Sequence, residues 1–346
     1  MGILGPAQRA WQNLRGRLYM RRAAQRVRTG MQVVHGPHLT KLAEHEVALV
    51  LVGRDVAYFL DHHIAHHRKL GVSHIVYVDN GSTDGSIDIA RRWPDITIVT
   101  CDADFREHER EIRFQANTMV LEGGWRLAID PDELLDYPNA DRVPLPELAR
   151  RMAARGHTAL VAQMLDMAFD GPISVAGAMP YAEAAHSFDR YNTADLERFS
   201  YHGSDLGWAW FLDQNRVTNP NIPVLYGGLR RAAFGEPCCL TKHALFRMGD
   251  GVVPQPHPHV TTGVVCTDFS AVLRHYKLAG GVVAREQKLL SENRVAHDET
   301  RLRVSRLAQE GDLNLADYCD AQGPTVERLI AQDVLQITDA AREMLA

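Results

Sequence analysis

Apolar runs of strand length recur along the chain between residues 47 and 130. They are "VALVLVG" from Val47, "HIVYVD" from His74, "ITIVTC" from Ile96 and "WRLAID" from Trp125. Continuous runs of β-branched and apolar residues are typical of strands that are covered on both faces of a sheet. The pattern therefore predicts four buried strands.

Segments with helical periodicity separate these runs. "VAYFLDHHIAHHRKLGV" stops at Gly71, "SIDIARRW" stops at Pro94, and "EREIRFQANTMVLEG" follows the third run. Glycine and proline at such positions are stop signals for helices. The alternation of strand and helix predicts an α/β fold with a mostly parallel, doubly wound central sheet. Sheets of this kind bind ligands at the carboxyl ends of their strands.

Acidic and amide side chains follow three of the predicted strands at that edge. In chain order they are Asp79, Asn80, Asp102, Asp104, Asp130, Asp132, Glu133 and Asp136. Carboxylates that gather in one place repel each other unless a cation compensates them. Oxygen ligands suit Mg²⁺ or Mn²⁺, which bind one or two carboxylates together with substrate phosphates. The alternative is a helix N-cap, because Asp-Pro-Asp-Glu at residues 130–133 is also good helix-start chemistry.

Length and composition limit the other possibilities. The 346 residues are 45% hydrophobic, which suffices for one large domain or two ordinary ones. The five cysteines form no CxxC pair, and their odd number indicates reduced thiols in a cytoplasmic setting. No window approaches the roughly 20 apolar residues of a membrane span, and the amino terminus lacks the apolar core of a signal peptide. We therefore expect a protein that neither crosses a membrane nor is secreted.

Charge is distributed unevenly around the net value of −5. Residues 1–30 contain seven arginines and no acid, and Trp11, Leu14 and Leu18 lie at helical spacing among them. A basic amphipathic helix of this kind could contact the inner face of an anionic membrane. The alternative is a solvated or disordered extension. Nucleic acid is not an expected partner, because the rest of the chain is acidic and has no recognisable binding module.

Two longer stretches resemble glycosyltransferase family 2, whose members have a GT-A type fold. They are "LVGRDVAYFLDHHIAHHRKLGVSHIVYVDNGSTDGS" and "WRLAIDPDELL", in the order and spacing of that family. Later blocks, "YGGLRRAAFG", "LTKHALF" and "LRHYKLA", extend the likeness to about residue 290. The resemblance implies a GT-A type domain at 47–290, a basic extension at 1–46 and a helical extension at 291–346.

The resemblance also implies an activity and a set of roles. A metal-dependent, inverting enzyme would transfer a sugar from a nucleotide-sugar donor, preferably a UDP-sugar, to a hydroxyl of a glycan or lipid-linked acceptor in bacterial surface polysaccharide synthesis. Mn²⁺ or Mg²⁺ would serve as cofactor, bound by Asp130, Asp132 and a late histidine, His275 before His257 or His259. Asp79 and Asn80 would lie near the nucleoside, and Asp130 near the ribose. The implied diphosphate contacts are Arg230 and Lys277.

The chain departs from the family pattern at two places. Arg54 and Asp55 replace an Asn-Glu-like pair, so Asp55 is a donor-site candidate that the pattern supports only in part. The carboxylate that would deprotonate the acceptor hydroxyl matches no block, and Asp205, Asp213 and Glu236 are the candidates.

Other functions and another metal site are alternatives to this interpretation of the sequence. A nucleotidyltransferase of related fold would have a Gly-rich basic loop after the first strand, where this chain has "GRDVAYF". A nonenzymatic glycan- or membrane-binding relative is a further alternative. His63 and His67 are spaced for zinc on one helical face beside His62 and His66, but without a third ligand at a recognised spacing we expect a structural role.

Overall fold

The computed structural model describes residues 18, 22–203, 206–292 and 299–346. The strands are β1 Met31–His35, β2 Thr40–Lys41, β3 Val47–Gly53, β4 His74–Asp79, β5 Ile96–Cys101, β6 Leu121–Glu122, β7 Trp125–Ala128, β8 Glu133–Asp136, β9 Ala159–Asp166, β10 Arg190–Tyr191, β11 Leu196–Ser200, β12 Arg216–Val217, β13 Pro223–Gly227, β14 Thr241–Arg247, β15 Val253–His257, β16 Val260–Thr262, β17 Val265–His275 and β18 Ala321–Gln322.

Helices cover or extend this framework along the whole described chain. The described part of α1 is residues 22–28. The others are α2 Ala57–Lys69, α3 Ser86–Arg91, α4 Phe105–Thr118, α5 Leu145–Ala154, α6 Ile173–Ala178, α7 Tyr181–Ser187, α8 Ala209–Leu212, α9 Leu229–Phe234, α10 Val282–Ser291, α11 Glu299–Glu310, α12 Val326–Ala331 and α13 Asp339–Leu345, with a 3₁₀ helix at Leu315–Tyr318.

Ten of the described strands form a central sheet in the order β1-β5-β4-β3-β7-β14-β9-β17-β12, with β8 paired to β17. Neighbours among β5, β4, β3 and β7 are parallel, and so are those among β9, β17 and β12. Strand β14 is antiparallel to both β7 and β9 and joins the two parallel groups. Since β14 runs antiparallel to both of its neighbours, β9 runs in the same direction as β7. The carboxyl ends of β3, β4, β5, β7, β9 and β17 therefore lie at one edge of the sheet.

The four predicted strands and the three predicted helices are confirmed as β3, β4, β5, β7, α2, α3 and α4. Every residue of β4 is buried, as expected for a strand that is covered on both faces. Helix α2 ends before Gly71, whose φ of +99° is a conformation that residues with a Cβ rarely adopt. The mixed α/β architecture with a mostly parallel sheet is therefore established, and the antiparallel strand β14 is an addition that the pattern did not predict.

The folded unit is larger than residues 47–290. Strand β1, which the resemblance placed in the basic extension, hydrogen bonds to β5 at the sheet edge. From the C-terminal segment, Leu329, Leu335 and Leu345 are buried in the main core, and Ile337 pairs with Phe269. Burial of these apolar residues fixes the segment to the domain.

Most of the basic segment 1–30 lies outside the described residues. In its described part, Ala23, Ala24 and Val27 are buried, and Gln115 of α4 donates a hydrogen bond to the Ala24 carbonyl at 2.9 Å. This part of α1 therefore turns its small apolar face toward the protein. Among the described helices, none combines the length and the hydropathy that crossing a membrane requires.

Candidate active site

A cleft of about 570 Å³ opens at the carboxyl edge of the sheet. Arg54 and Asp55 follow β3 and line the cleft. Asn80, which follows β4, and the turn Asp130–Glu133, which follows β7, line it as well. His275 ends β17 directly beside Asp166, the last residue of β9. Five parallel strand ends thus bring together residues that lie far apart in the sequence, as expected for this fold class.

Asp130 is held by two cations of the protein itself. Arg113 of α4 donates to its Oδ1 at 3.0 Å, and the Lys242 ammonium donates to its Oδ2 at 2.8 Å. The same ammonium donates to both oxygens of Glu133, at 2.6 and 2.9 Å, and Lys242 and Glu133 are almost fully buried. Although burial raises the pKa of Asp130, the two cations outweigh it and hold that pKa well below its ordinary value. We call Asp130, Glu133, Arg113 and Lys242 the Asp130 cluster.

Asp132 belongs to a different set of contacts. Its Oδ2 lies 3.4 Å from Nε2 of His275, and Nδ1 of His275 lies 2.7 Å from Oδ1 of Asp166. Arg230 Nε in turn donates to both oxygens of Asp166 at 3.0 Å. We call Asp132, His275, Asp166 and Arg230 the Asp132 chain. Asp166 lies behind the cleft surface, and the largely buried Arg230 lines the cleft again at the other end of the chain.

Charge coupling along the Asp132 chain is strong. Burial alone lowers the pKa of His275, but the carboxylates of Asp132 and Asp166 outweigh it and raise that pKa to about 9. Burial opposes ionisation of Asp132, yet His275 and Lys277 together hold the pKa of Asp132 well below its ordinary value. The cleft end of the chain therefore presents an ionised carboxylate next to an imidazole that is braced from behind.

Two cations, Lys277 and Arg285, lie along the same part of the cleft. The Arg285 guanidinium donates to the backbone carbonyls of Lys277, Ala279 and Gly280 and stands 5.4 Å from the ring centre of Phe59. Since carbonyl oxygens carry no formal charge, the guanidinium keeps its positive charge at the cleft. Sequence reasoning selected Lys277 but missed Arg285, because α10 lay at the end of the recognised blocks.

The predicted nucleoside contacts divide into two groups. Asp55 and Asn80 line the cleft, whereas Asp79 is buried and accepts hydrogen bonds from Tyr77, Gly81 and Ser82. The carboxylate of Asp55 accepts from the Thr83 amide at 2.6 Å and from Lys288 at 2.7 Å, and its φ is +53°. Asp79 thus shapes the "DNGSTDGS" turn, and Asp55 fastens that turn to α10.

The two described candidates for a general base do not line the cleft. Asp213 is exposed and lies 3.6 Å from His202. Glu236 is fully buried between Arg230, at 3.4 Å, and Arg303, at 3.2 Å, and burial is the main cause that raises its pKa to about 7. Asp205 lies outside the described residues. Arg230 lines the cleft and pairs with Asp166 and Glu236, so its charge is largely compensated within the protein, and its diphosphate contact stays a prediction.

The histidines of α2 make structural contacts. His66 Nε2 lies 2.8 Å from the Leu135 carbonyl, and His67 accepts a hydrogen bond from the Leu135 amide at 3.3 Å. The second-choice histidines, His257 and His259, also line the cleft, where His259 contacts the Thr241 carbonyl at 3.1 Å.

A three-ligand metal site of Asp130, Asp132 and His275 was expected, and the geometry corrects it. Both Asp130 oxygens face protein cations, which satisfy the charge that an ion would otherwise compensate. Within the described ranges, no three His, Cys, Asp or Glu side chains are grouped so that they alone could hold a metal ion. Asp132 and His275 are the pair with ligand chemistry that faces the cleft.

The similarity of this chain to known proteins is confined to solved structures. No family model matches it, and no curated protein matches it. Among solved structures it is similar to S. aureus TarS 1-349 in complex with UDP, at 14% identity and a TM-score of 0.29, over 35% of this chain and 36% of that chain. It is also similar to a 4-diphosphocytidyl-2C-methyl-D-erythritol synthase, at 14% identity and a TM-score of 0.24, over 37% of this chain and 64% of that chain. Less than two thirds of either neighbour is matched, so the function is argued from the site itself.

Proposed function

We propose that this chain is a metal-dependent glycosyltransferase of GT-A type that binds a nucleotide sugar in the cleft and transfers the sugar to an acceptor hydroxyl. One observation carries the proposal. The Asp132 carboxylate and the His275 imidazole stand 3.4 Å apart at the carboxyl edge of the sheet, and Asp166 braces the imidazole from behind at 2.7 Å.

The donor set fits a divalent cation. Nδ1 of His275 engages Asp166 and Nε2 faces Asp132, so an ion bound at Nε2 would replace the proton that the raised pKa of His275 keeps there. A histidine ligand braced by a carboxylate in this way is typical of metal sites. Mn²⁺ and Mg²⁺ commonly take one or two protein ligands and complete their coordination with water and substrate phosphates. Two protein ligands therefore suffice where a nucleoside diphosphate supplies others. A bound ion would supply positive charge that stabilises the diphosphate as a leaving group.

Two cations of the cleft would bind the diphosphate of the donor. Lys277 and Arg285 line the cleft near Asp132. The charge of Lys277 lowers the pKa of Asp132, and the charge of Asp132 opposes the lowering of the Arg285 pKa by burial. Arg285 presents a guanidinium already oriented by three carbonyls, which suits bidentate recognition of phosphate, whereas Lys277 acts as a point charge. Together they would bind the diphosphate and hold the scissile bond beside the acceptor.

The connection after β3 argues against nucleotidyl transfer. Only Arg54, Asp55 and Val56 separate β3 from α2, and the Asp55 amide and carboxylate are both engaged with the turn at Ser82 and Thr83. This connection leaves no glycine-rich loop whose amides could surround a triphosphate. Sugar transfer needs no such loop when a divalent ion and cleft cations hold the diphosphate.

Isothermal titration with UDP-, GDP- and CMP-sugars, with and without Mn²⁺, tests the proposal. We expect one donor class, preferably UDP-sugars, to bind only with Mn²⁺, and Asp132→Ala to abolish that binding. Asp141→Ala is the matched control, since Asp141 is exposed and lies nine residues further along the same segment. If Asp132→Ala bound and hydrolysed the preferred donor as wild type does, the assignment would be wrong.

A further inference from the structure

The side of the cleft formed by α8, β13 and β15 is aromatic. Trp208, Tyr226 and His257 line it, and each ring is partly exposed. The rings of Trp208 and His257 are stacked, with centroids 4.7 Å apart and an angle of 16°. Trp208 Nε1 donates to the Tyr226 hydroxyl at 2.8 Å. We call these three residues the aromatic wall.

The wall is held in place before any ligand arrives. Tyr226 lies in β13, which is paired with β11, and Phe199 of β11 meets the Tyr226 ring edge-on at 5.5 Å. The buried Phe211 ring packs 5.8 Å from His257. Rings that are already oriented lose little conformational entropy when they bind a ligand.

The wall differs in charge from the opposite side of the cleft. Among the described residues between 206 and 259 that line the cleft, Arg230 is the one charged side chain, and its charge is compensated by Asp166 and Glu236; the others are Trp208, Tyr226, Pro237, Cys238, Cys239, His257, Pro258 and His259. Burial keeps the pKa of His259 well below its ordinary value, so this imidazole is neutral. The opposite side carries Arg54, Lys277 and Arg285. A phosphate therefore belongs there, and an uncharged group belongs at the wall.

The wall adjoins the acidic turn. The hairpin of β15 and β16 lies on β14, where the His243 amide donates to the His259 carbonyl at 2.9 Å. Lys242, the preceding residue of β14, holds Asp130 at 2.8 Å. A ligand on the wall would thus stand beside the turn that carries Asp132.

The chemistry of the wall fits a sugar ring. A pyranose has an apolar C–H face, which packs on an aromatic ring, and a rim of hydroxyls that needs polar partners. The Tyr226 hydroxyl accepts one hydrogen bond from Trp208 and has capacity for another with such a sugar hydroxyl. We propose that the aromatic wall binds a pyranosyl ring of the acceptor, so that the acceptor is a carbohydrate. This inference rests on the proposed glycosyl transfer.

Saturation-transfer NMR with defined probes tests the inference. The probes are the methyl α- and β-pyranosides of glucose, galactose and mannose, each added to full-length protein with UDP and Mn²⁺. We expect saturation of the ring C–H protons of at least one glycoside with wild type, and a roughly tenfold loss of its affinity in Trp208→Ala. Trp210→Ala is the matched control, because Trp210 is 57% exposed and lies outside the cleft.

A second variant separates recognition from folding. Tyr226→Phe keeps the ring and removes only the hydroxyl that accepts from Trp208, so we expect a loss of glycoside affinity smaller than that of Trp208→Ala, with a melting temperature lowered by no more than about 2–4 °C. No saturation of any probe with wild type would overturn the inference. So would a loss in Trp210→Ala equal to that in Trp208→Ala.

The same samples distinguish failure of the inference from failure of the proposed function. Mn²⁺-dependent UDP binding without any glycoside binding overturns the wall assignment and leaves glycosyl transfer standing. Glycoside binding that depends on Trp208, without UDP binding under any condition, overturns glycosyl transfer and keeps a carbohydrate site. A Trp208→Ala variant that loses UDP affinity as much as glycoside affinity assigns the wall to the nucleobase and overturns the inference.

Discussion

Asp130 and Asp132 are two residues apart, yet their surroundings differ. Asp130 faces the fixed charges of Arg113 and Lys242, whereas Asp132 faces the titratable imidazole of His275. Both carboxylates line the cleft, and Asp130 is the more exposed of the two, at 29% against 16%; they differ in the cations that face them. Two acids at DxD spacing therefore need not share a role, because the cations that the fold places around each of them decide what it can bind.

Loss of Asp132 should have the largest effect on activity. Asp132→Ala removes the cleft-facing carboxylate, and we expect hydrolysis or transfer of the preferred donor to fall about 100- to 1,000-fold. Initial rates of nucleotide release at saturating Mn²⁺ measure it, with Asp141→Ala as control. An equal loss in the control, or a loss below tenfold in Asp132→Ala, would remove the distinction between the two acids.

Loss of Lys242 should instead act on stability. Lys242→Met leaves the buried carboxylate of Glu133 without its cation and the partly exposed carboxylate of Asp130 with Arg113 alone, at a cost of about 3–5 kcal/mol in the free energy of unfolding. Urea titration followed by circular dichroism measures it. Adding Glu133→Gln should recover part of the loss, since the buried charge disappears. A Lys242→Met protein as stable as wild type would show that the Asp130 cluster is not a structural clamp.

Substitution of Asp166 tests whether this carboxylate holds His275 in position to bind an ion. Asp166→Asn keeps the size of the side chain but weakens the hydrogen bond to Nδ1 and the pairing with Arg230. We expect the Mn²⁺ affinity, measured by electron paramagnetic resonance in the presence of UDP, to fall about 10- to 100-fold. Asp268→Asn is a control of the same chemistry, because Asp268 pairs with Arg155 outside the cleft. Unchanged Mn²⁺ affinity in Asp166→Asn would contradict the bracing role.

A second buried histidine, His243, can be compared with His275. Unlike His275 it faces no carboxylate; it contacts the Tyr201 hydroxyl and the Thr261 carbonyl, and burial lowers its pKa to about 4. The unfolded chain takes up a proton near pH 6.5 and the folded chain only near pH 4. The stability that His243 contributes is therefore present above about pH 6.5 and is lost as the pH falls toward 4.

The expected slope in that window is up to about 1.4 kcal/mol per pH unit. Urea midpoints between pH 4.5 and 7.5 should show a smaller acid-side loss for His243→Gln than for wild type. Identical slopes in the two proteins would mean that His243 does not contribute to the pH dependence.

Much of the framework could be predicted from local patterns. Strands β3, β4, β5 and β7 and helices α2 to α4 follow from apolar periodicity and from stops at Gly71 and Pro94. The same reasoning brought the acidic turn to the carboxyl edge and selected Asp132, His275 and Lys277 for the cleft. One further local signal is "ALVAQMLD", an apolar run of strand length that ends in Asp166 and forms β9.

The partners of these residues could not be predicted in the same way. Asp166 and His275 are 109 residues apart, and Asp130 and Lys242 are 112 residues apart. Their contacts depend on the order β7-β14-β9-β17, and no local pattern specifies that order. For the same reason Arg230 and Glu236 were assigned to substrate or catalysis, although the fold buries them in an ion network.

The sequence by itself determined which segments are strands and helices and which side chains stand at the strand ends, because spacing and backbone preference act over a few residues. Only the tertiary structure decided which carboxylate is neutralised and which is available, because charges interact through space and the sheet order sets their distances. For the same reason the aromatic wall, assembled from three separate segments, became visible only in the folded chain.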